Sequence, residues 1–469
     1  MSGLLLVLYQ LLATAGLVVA TPLLLWRALA HRREVVERLG WRGASASVPG
    51  PMRGAPGPLW LHAASLGELE SLRALWETPR HEGTAGRAPA GPLLVTVLSV
   101  SARRRAAEVA PSGTRVCFAP LDLWCAVLPF LRRERPRALI LTETELWPLT
   151  LALCHARGIP VALVSGRLSS RRWRRTRLLA PLLRPLLRRF AGCAVQSADD
   201  AARFRFLGAG PVEITGNLKH RLIAHPSPRP LGDRRFVFVA GSVRTGEEEV
   251  LAVGRLRGVL SVVAPRHLRE REHWIHACES RGVRCVARSA IELTLPPMGV
   301  PRDPEAQIVL RERLDAALAA TEDGGRPVLL VDLHGELGAW YAAADAAFVG
   351  GTLVPIGGHS LFEPARCGVP VAFGPHTGGV EDAVEPLLRL GGGARVRDGA
   401  ELTAWVTRLR DDPSAAARGA AGAAAAARAM AEGAGRTLDF LHGFEWFDMS
   451  RASGAPPAEA TPGRNEAPR

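Results

Sequence analysis

The sequence predicts an α/β protein of two Rossmann-like domains, each a parallel sheet faced by helices, with an interdomain cleft for the ligand. Three observations carry this expectation. Short apolar runs alternate with longer amphipathic stretches along most of the chain, the pattern of βα units. The candidate strands form two series: Leu59–His62, Leu93–Leu98, Ala138–Leu141, Val161–Val164 and Val212–Thr215, then Phe236–Ala240, Leu260–Val263, Val328–Val331, Ala347–Val349 and Val369–Ala372. The proline cluster Pro226, Pro228 and Pro230 separates them, which puts a boundary near residue 230 and domains over 45–228 and 229–447. With 469 residues, 47% of them hydrophobic, the chain can bury two cores.

Ahead of the first strand, Met1 to Trp26 carry no charged side chain, and Leu4–Trp26 is long enough to cross or deeply enter a bilayer as a helix. Arg27, Arg32, Arg33, Arg38 and Arg42 follow it, and cations on that flank place the remaining chain in the cytoplasm. Residues 1–27 are therefore read as a membrane anchor helix. A cleaved signal peptide is the competing reading, but the basic leader segment is missing. Between the strands, Gly83–Pro92 reads as a surface loop. Arg167–Arg189 interleaves nine arginines with leucines, a composition that suits anionic headgroups and also suits a solvated helix packed by its leucines. Ala415–Ala429 reads as helical, and residues 448–469 as a disordered tail.

The net charge is +14, and of 59 Lys+Arg only Lys219 is a lysine. So basic a chain suits anionic partners, yet no nucleic-acid-binding motif accompanies the charge. The seven cysteines, Cys117, Cys125, Cys154, Cys193, Cys278, Cys285 and Cys367, are scattered without CxxC pairs, which points to buried free thiols in a reducing compartment.

Chemistry concentrates at expected strand ends. Phe348 to Thr377 read FVGGTLVPIGGHSLFEPARCGVPVAFGPHT: a glycine-rich loop, a short helix carrying Glu363, then a second strand. Glycines let backbone approach a phosphate, a helix N-terminus offers N–H groups to an anion, and a carboxylate one turn in can grip ribose hydroxyls, so the segment outlines a nucleotide-sugar pocket. In LWLHAASLGELES, Glu68 follows the first strand at the start of a helix. A carboxylate there can take a proton from an attacking hydroxyl, or simply suit the helix dipole. LTETELWP brings Glu143 and Glu145 to the same edge, and the pattern does not say which of them faces the cleft. Lys219, in ITGNLKH, can meet charge developing on a leaving phosphate. VAGSVRTGEEE offers Ser242, Arg244 and Gly246 to an anion; VVAPRH offers the fork of Arg266; and LLVDLHGELGAWY supplies His334, Gly335 and Glu336. No D-x-D pair and no ligand-spaced His, Asp or Glu cluster occurs, which leaves leaving-group charge to Arg, Lys and the helix dipole and implies no metal and no cofactor.

LWLHAASLGELES, LTETELWP, SGRLSSRR, VQSADDAARFRFLGA, ITGNLKH, APRH, HGELGAWYAAADAAFVGG and GGHSLFEPARCGVPVAFGPHT together resemble, in order across residues 59–377, the transferases of 3-deoxy-D-manno-oct-2-ulosonic acid (Kdo). The resemblance implies a glycosyltransferase-B fold, with CMP-Kdo as donor and the lipid A precursor (lipid IVA) as acceptor at the inner leaflet of the cytoplasmic membrane, in lipopolysaccharide core biosynthesis. By the same resemblance Glu68 matches the catalytic base, and Glu143 and Lys219 match the pair stabilising the transition state. Pro265 and Arg266, His334, Gly335 and Glu336, and Ser360, Leu361, Phe362 and Glu363 match CMP-binding positions. Two departures stand out: this chain has His359-Ser360-Leu361-Phe362-Glu363-Pro364 where the family has H-N-P-L-E-P, and His334 replaces a more usual Met. The implied reaction is an inverting single displacement. The alternatives are another membrane-associated glycosyltransferase using a nucleoside-diphosphate sugar, and a non-catalytic protein that binds anionic lipid.

Overall fold

The structure, a computed structural model, describes residues 4–16, 34–40, 57–77, 89, 91–220, 236–291, 312, 316–319 and 327–447. The proline cluster, most of the Gly83–Pro92 loop, the 448–469 tail and the second half of the expected anchor lie outside these residues.

Two compact units are present. The first comprises the described residues of Met1–Leu168, Arg174–Thr215 and Gly435–Arg469, the second those of Ser169–Trp173 and Gly216–Ala434. The chain thus enters the second unit at residue 216, ahead of the expected boundary at 228, because Asn217 Nδ2 donates to Asp382 at 2.8 Å and the His220 ring stacks on Phe362 at 4.6 Å. It also leaves the second unit before the expected 447. The long helix Pro413–His442 packs Ala426, Ala427 and Met430 into the second unit's core, whereas Thr437 donates its hydroxyl to Thr215 of the first unit at 2.8 Å.

The first unit holds seven parallel strands: β1 (Leu59–Ala63), β2 (Leu93–Val97), β3 (Arg115–Phe118), β4 (Ala138–Thr142), β5 (Val161–Gly166), β6 (Gly192–Val195) and β7 (Val212–Ile214). Their order is β3-β2-β1-β4-β5-β6-β7, with Leu61 in register with Val95 on one side and Ile140 on the other. β1, β2 and β4 are buried at every residue. A parallel sheet covered on both faces demands such continuous apolar runs, and that is why these strands were readable.

The second unit repeats the plan with β8 (Phe236–Val243), β9 (Val259–Pro265), β10 (Cys285–Ala287), β11 (Val328–Leu330), β12 (Ala346–Val349), β13 (Val371–Phe373) and β14 (Gly393–Arg395), all parallel in the order β10-β11-β9-β8-β12-β13-β14. Phe238, Phe348, Trp274 and Trp405 lead the core on one face, and Trp340 and Tyr341 that on the other. In each sheet the strand order reverses near the centre, between β1 and β4 and between β8 and β12. Ligands of open α/β sheets bind outside the carboxyl ends of the strands at such a point.

Residues 4–16 are helical. Tyr9 donates its hydroxyl to Asp122 Oδ2 at 2.9 Å and Gln10 donates to the Asp122 carbonyl at 3.0 Å, so one side of the helix is docked on the first unit. Leu4, Val7, Leu8, Leu11 and Leu12, a stripe at helical spacing, are exposed. Among the described residues no helix is long and apolar enough to cross a membrane. In the arginine-rich stretch Leu183 and Leu187 are buried, while Leu178 and Leu179 are 74% and 54% exposed. All seven cysteines are free; Cys117, Cys154, Cys193 and Cys278 are buried, but Cys125, expected among apolar neighbours, is exposed.

Candidate active site

At the reversal point of the first sheet, the chain leaves β1 through Ala64 and Ser65 into the helix Leu66–Glu77. Ser65 and Glu68 stand in the S-x-x-E spacing of a capping box. Glu68 N donates to Ser65 Oγ at 3.2 Å, and the carboxylate answers by accepting from Ala64 N at 2.8 Å and Ser65 Oγ at 3.2 Å. The side chain is held rigidly and is 8% exposed. Burial raises its pKa to about 7, against the pull of the Ala64 bond, and the charges of Glu143 and then Glu145 push the same way. A carboxylate poised there is half ionised at neutral pH and is suited to accept a proton.

Glu143 lies just past β4, the strand beside β1, with a φ of 58°. Left-handed backbone is uncommon for a residue with a side chain, and here it is imposed by Glu143 N donating to Val164 O at 3.1 Å. The sequence left open which of Glu143 and Glu145 serves the edge. Both act on Glu68, and Glu143 does so more strongly.

In the second sheet β9, the neighbour of β8 on the side away from β12, ends at Pro265. Arg266 follows, exposed and with no ion pair among the described residues. His334 and Gly335, after β11, are exposed. Glu336 is half-buried and accepts from the buried Arg288 at 2.9 Å, while its other oxygen is buried without a partner. Burial raises the Glu336 pKa, with Arg288 opposing. Ser360 and Leu361 lead into the short helix Phe362–Arg366, which has no side-chain N-cap. Phe362 is buried, and burial raises the Glu363 pKa against Arg366 and Arg266.

The glycine-rich loop departs from expectation. Its N–H groups were read as a phosphate cradle, but those of Gly351, Thr352 and Leu353 all donate to Glu247, at 2.8, 3.0 and 2.9 Å. Glu247 is fully buried and also accepts from Arg244 N at 2.9 Å. The glycines instead serve close packing: a Cβ on Gly350 would fall 2.4 Å from Val243 Cα. Nothing in the local sequence singles out Glu247 from its neighbours Glu248 and Glu249.

Lys219 is exposed and belongs to the second unit. Its N–H donates to Asn217 Oδ1 at 3.0 Å, and Asn217 is tied to Asp382, so the loop that presents the lysine is fixed on both sides by Asn217 and His220. His220 carried no signal in sequence. Among the described residues no cluster of three or more His, Cys, Asp or Glu is arranged to hold a metal ion.

A family model described as 3-deoxy-D-manno-octulosonic-acid transferase (kdotransferase) matches residues 33–222. A 3-deoxy-D-manno-octulosonic acid transferase of Bordetella pertussis is 31% identical over 418 residues, which cover 86% of this chain and 90% of that protein. One from Chlamydophila psittaci is 27% identical over 416 residues, 87% of this chain and 89% of its own. Among solved structures, Anabaena HepE in complex with UDP aligns with a TM-score of 0.54 at 14% identity, over 82% of this chain and 99% of that one. That likeness is one of fold, two parallel-sheet α/β units of the glycosyltransferase-B type.

Proposed function

Because the chain belongs to the Kdo transferase family, and is thereby a glycosyltransferase, we propose that it moves Kdo from CMP-Kdo to the lipid A precursor, lipid IVA, by an inverting displacement that uses no metal ion. The observation that carries the reading is Glu68: a carboxylate held by two hydrogen bonds at the reversal point of the first sheet, with its pKa raised to about 7. In the proposed step Glu68 takes the proton of the acceptor's 6-hydroxyl as that oxygen bonds to the anomeric carbon of Kdo. The bond from that carbon to the phosphate oxygen breaks, its electron pair leaves with CMP, and a monoanionic diester becomes a dianionic monoester. Arg266, which meets no carboxylate among the described residues, and Lys219 offset the added charge. Glu143 and Glu145 keep Glu68 basic through their own charge. Pro265, His334, Gly335, Glu336 and the segment Ser360–Glu363 would hold the nucleotide.

The acceptor is a membrane lipid, and the proposed location is the cytoplasmic face of the inner membrane. The exposed stripe of Leu4, Val7, Leu8, Leu11 and Leu12 supports this, as do Leu178 and Leu179 among their arginines. Purified protein incubated with lipid IVA and CMP-Kdo generated in situ tests the whole reading by product mass. A product heavier by one or more Kdo units is expected; transfer from UDP- or GDP-sugars with none from CMP-Kdo would overturn it.

A further inference from the structure

Beside Arg266 the second unit carries three more cationic or imidazole groups that the proposed reaction has not used. Arg244 follows β8, His267 follows β9, and His359 ends the glycine-rich loop after β12. These are the three central neighbouring strands of the sheet, on both sides of its reversal point.

The cluster is built, not incidental. Glu247 accepts from Arg244 N and from Gly351, Thr352 and Leu353 N, which welds the loop of Arg244 to the loop of His359. Arg266 N donates to Val243 O at 2.9 Å and ties in the third loop. Arg244 Nη1 lies 2.6 Å from His267 Nε2. A guanidinium has no acceptor, so the imidazole accepts, carries its proton on Nδ1 and is neutral. Neither arginine meets a carboxylate among the described residues. His359 Nε2 is buried without a partner, and its ring sits against Gly351, where a Cβ would lie 3.3 Å from that nitrogen. An orphaned buried polar atom is destabilising and calls for an explanation. Burial, then the charges of Arg266 and Arg244, lower the His359 pKa to about 4.

A CMP-activated 2-keto sugar acid bears two anionic groups on one carbon, the phosphodiester and the sugar's own carboxylate, and one arginine answers only one of them. We propose that Arg244, oriented by His267, together with His359 forms a carboxylate subsite that recognises the sugar acid of the donor, while Arg266 faces the phosphate. The inference rests on the proposed donor and deepens it. It makes the cluster a determinant of specificity: neutral nucleotide sugars would leave these groups unpaired, and a site with buried polar groups rejects ligands that fail to satisfy them.

The test compares two probes on the full chain, CMP, which has phosphate alone, and CMP-Kdo, which has both anions. In Arg244→Ala and His359→Ala, with unchanged melting temperature, the KM for CMP-Kdo is expected to rise about tenfold or more while the Kd for CMP stays within about twofold. His359→Gln, which keeps a side-chain donor at similar reach, should recover part of the loss. An equal weakening of CMP would assign the cluster to phosphate and overturn the inference, as would unchanged KM in both variants while the unaltered protein uses CMP-Kdo. No turnover of CMP-Kdo by the unaltered protein would instead refute the proposed donor and take the inference with it.

Discussion

Glu68→Gln separates what Glu68 does for stability from what it does for the reaction. In the folded protein the carboxyl is raised from its ordinary 4.5 to about 7, chiefly by burial and then by Glu143 and Glu145. A raised carboxyl favours the protonated form, so its contribution is fully present below pH 4.5 and is lost as pH rises through 7. The displacement corresponds to about 3 kcal/mol at alkaline pH. Glutamine occupies the same place in the capping box and keeps an acceptor for Ala64 N, but it carries no charge to desolvate. Thermal or urea melts of the unaltered protein and the variant between pH 4 and 8.5 should coincide near pH 4 and separate as pH rises, the variant becoming more stable by up to about 3 kcal/mol. Over the same range the unaltered enzyme's kcat/KM should climb tenfold per pH unit below about 7 and then level, while the variant loses about 100-fold or more. A pH-independent stability difference, or a variant that turns over normally, would mean that Glu68 caps its helix and does nothing else.

Four further expectations follow from named contacts. Glu143→Gln removes the larger of the two neighbouring charges that raise Glu68, so the acidic limb of kcat/KM should move to lower pH; an unmoved limb would dissociate the two carboxylates. Lys219→Ala should lower kcat by about 100-fold with little change in CMP affinity by titration calorimetry, and Arg at that position should restore only part of it, since a fork is not a point charge. Glu247→Gln sets an amide N–H₂ against two of the four backbone donors now bound to the carboxylate, which should cost about 2–5 kcal/mol in a urea melt; a loss under 0.5 kcal/mol would contradict the weld between the two loops. Leu8→Glu with Leu12→Glu alters an exposed face and should leave the melting temperature alone while reducing binding to vesicles rich in anionic lipid by about tenfold.

Strands were legible where burial on both faces forced an unbroken apolar run, as in β1, β2, β4, β8 and β9, which the sequence places to within three residues at either end. The four that escaped notice, β3, β6, β10 and β14, are three or four residues long. RVCF, GCAV, CVA and GAR hold too few apolar side chains to make a period, and three of the four are sheet edges with one neighbour each. Register with a longer partner makes such segments strands, and register is absent from a linear pattern.

The site divides the same way. Glu68, Glu143, Arg266 and Glu336 draw notice in the sequence because a charged residue soon after an apolar run has few structural reasons to be there. Residues whose meaning depends on a partner far along the chain were not found. Glu247 looks like one acid in a solvated run of three until Gly351, Thr352 and Leu353 arrive from more than a hundred residues away to bind it. His220 becomes informative only once Phe362 and Asp382 flank it. The glycine-rich loop shows why this matters for function: glycine content alone pointed to backbone N–H groups held open for phosphate, yet those groups are spent on Glu247. The loop also carries the half-buried His359 ring, which feels the charges of Arg266 and Arg244. Anion recognition in this unit therefore shifts from backbone to side chains, and side chains, unlike a backbone cradle, can distinguish a donor that carries a second negative charge from one that does not.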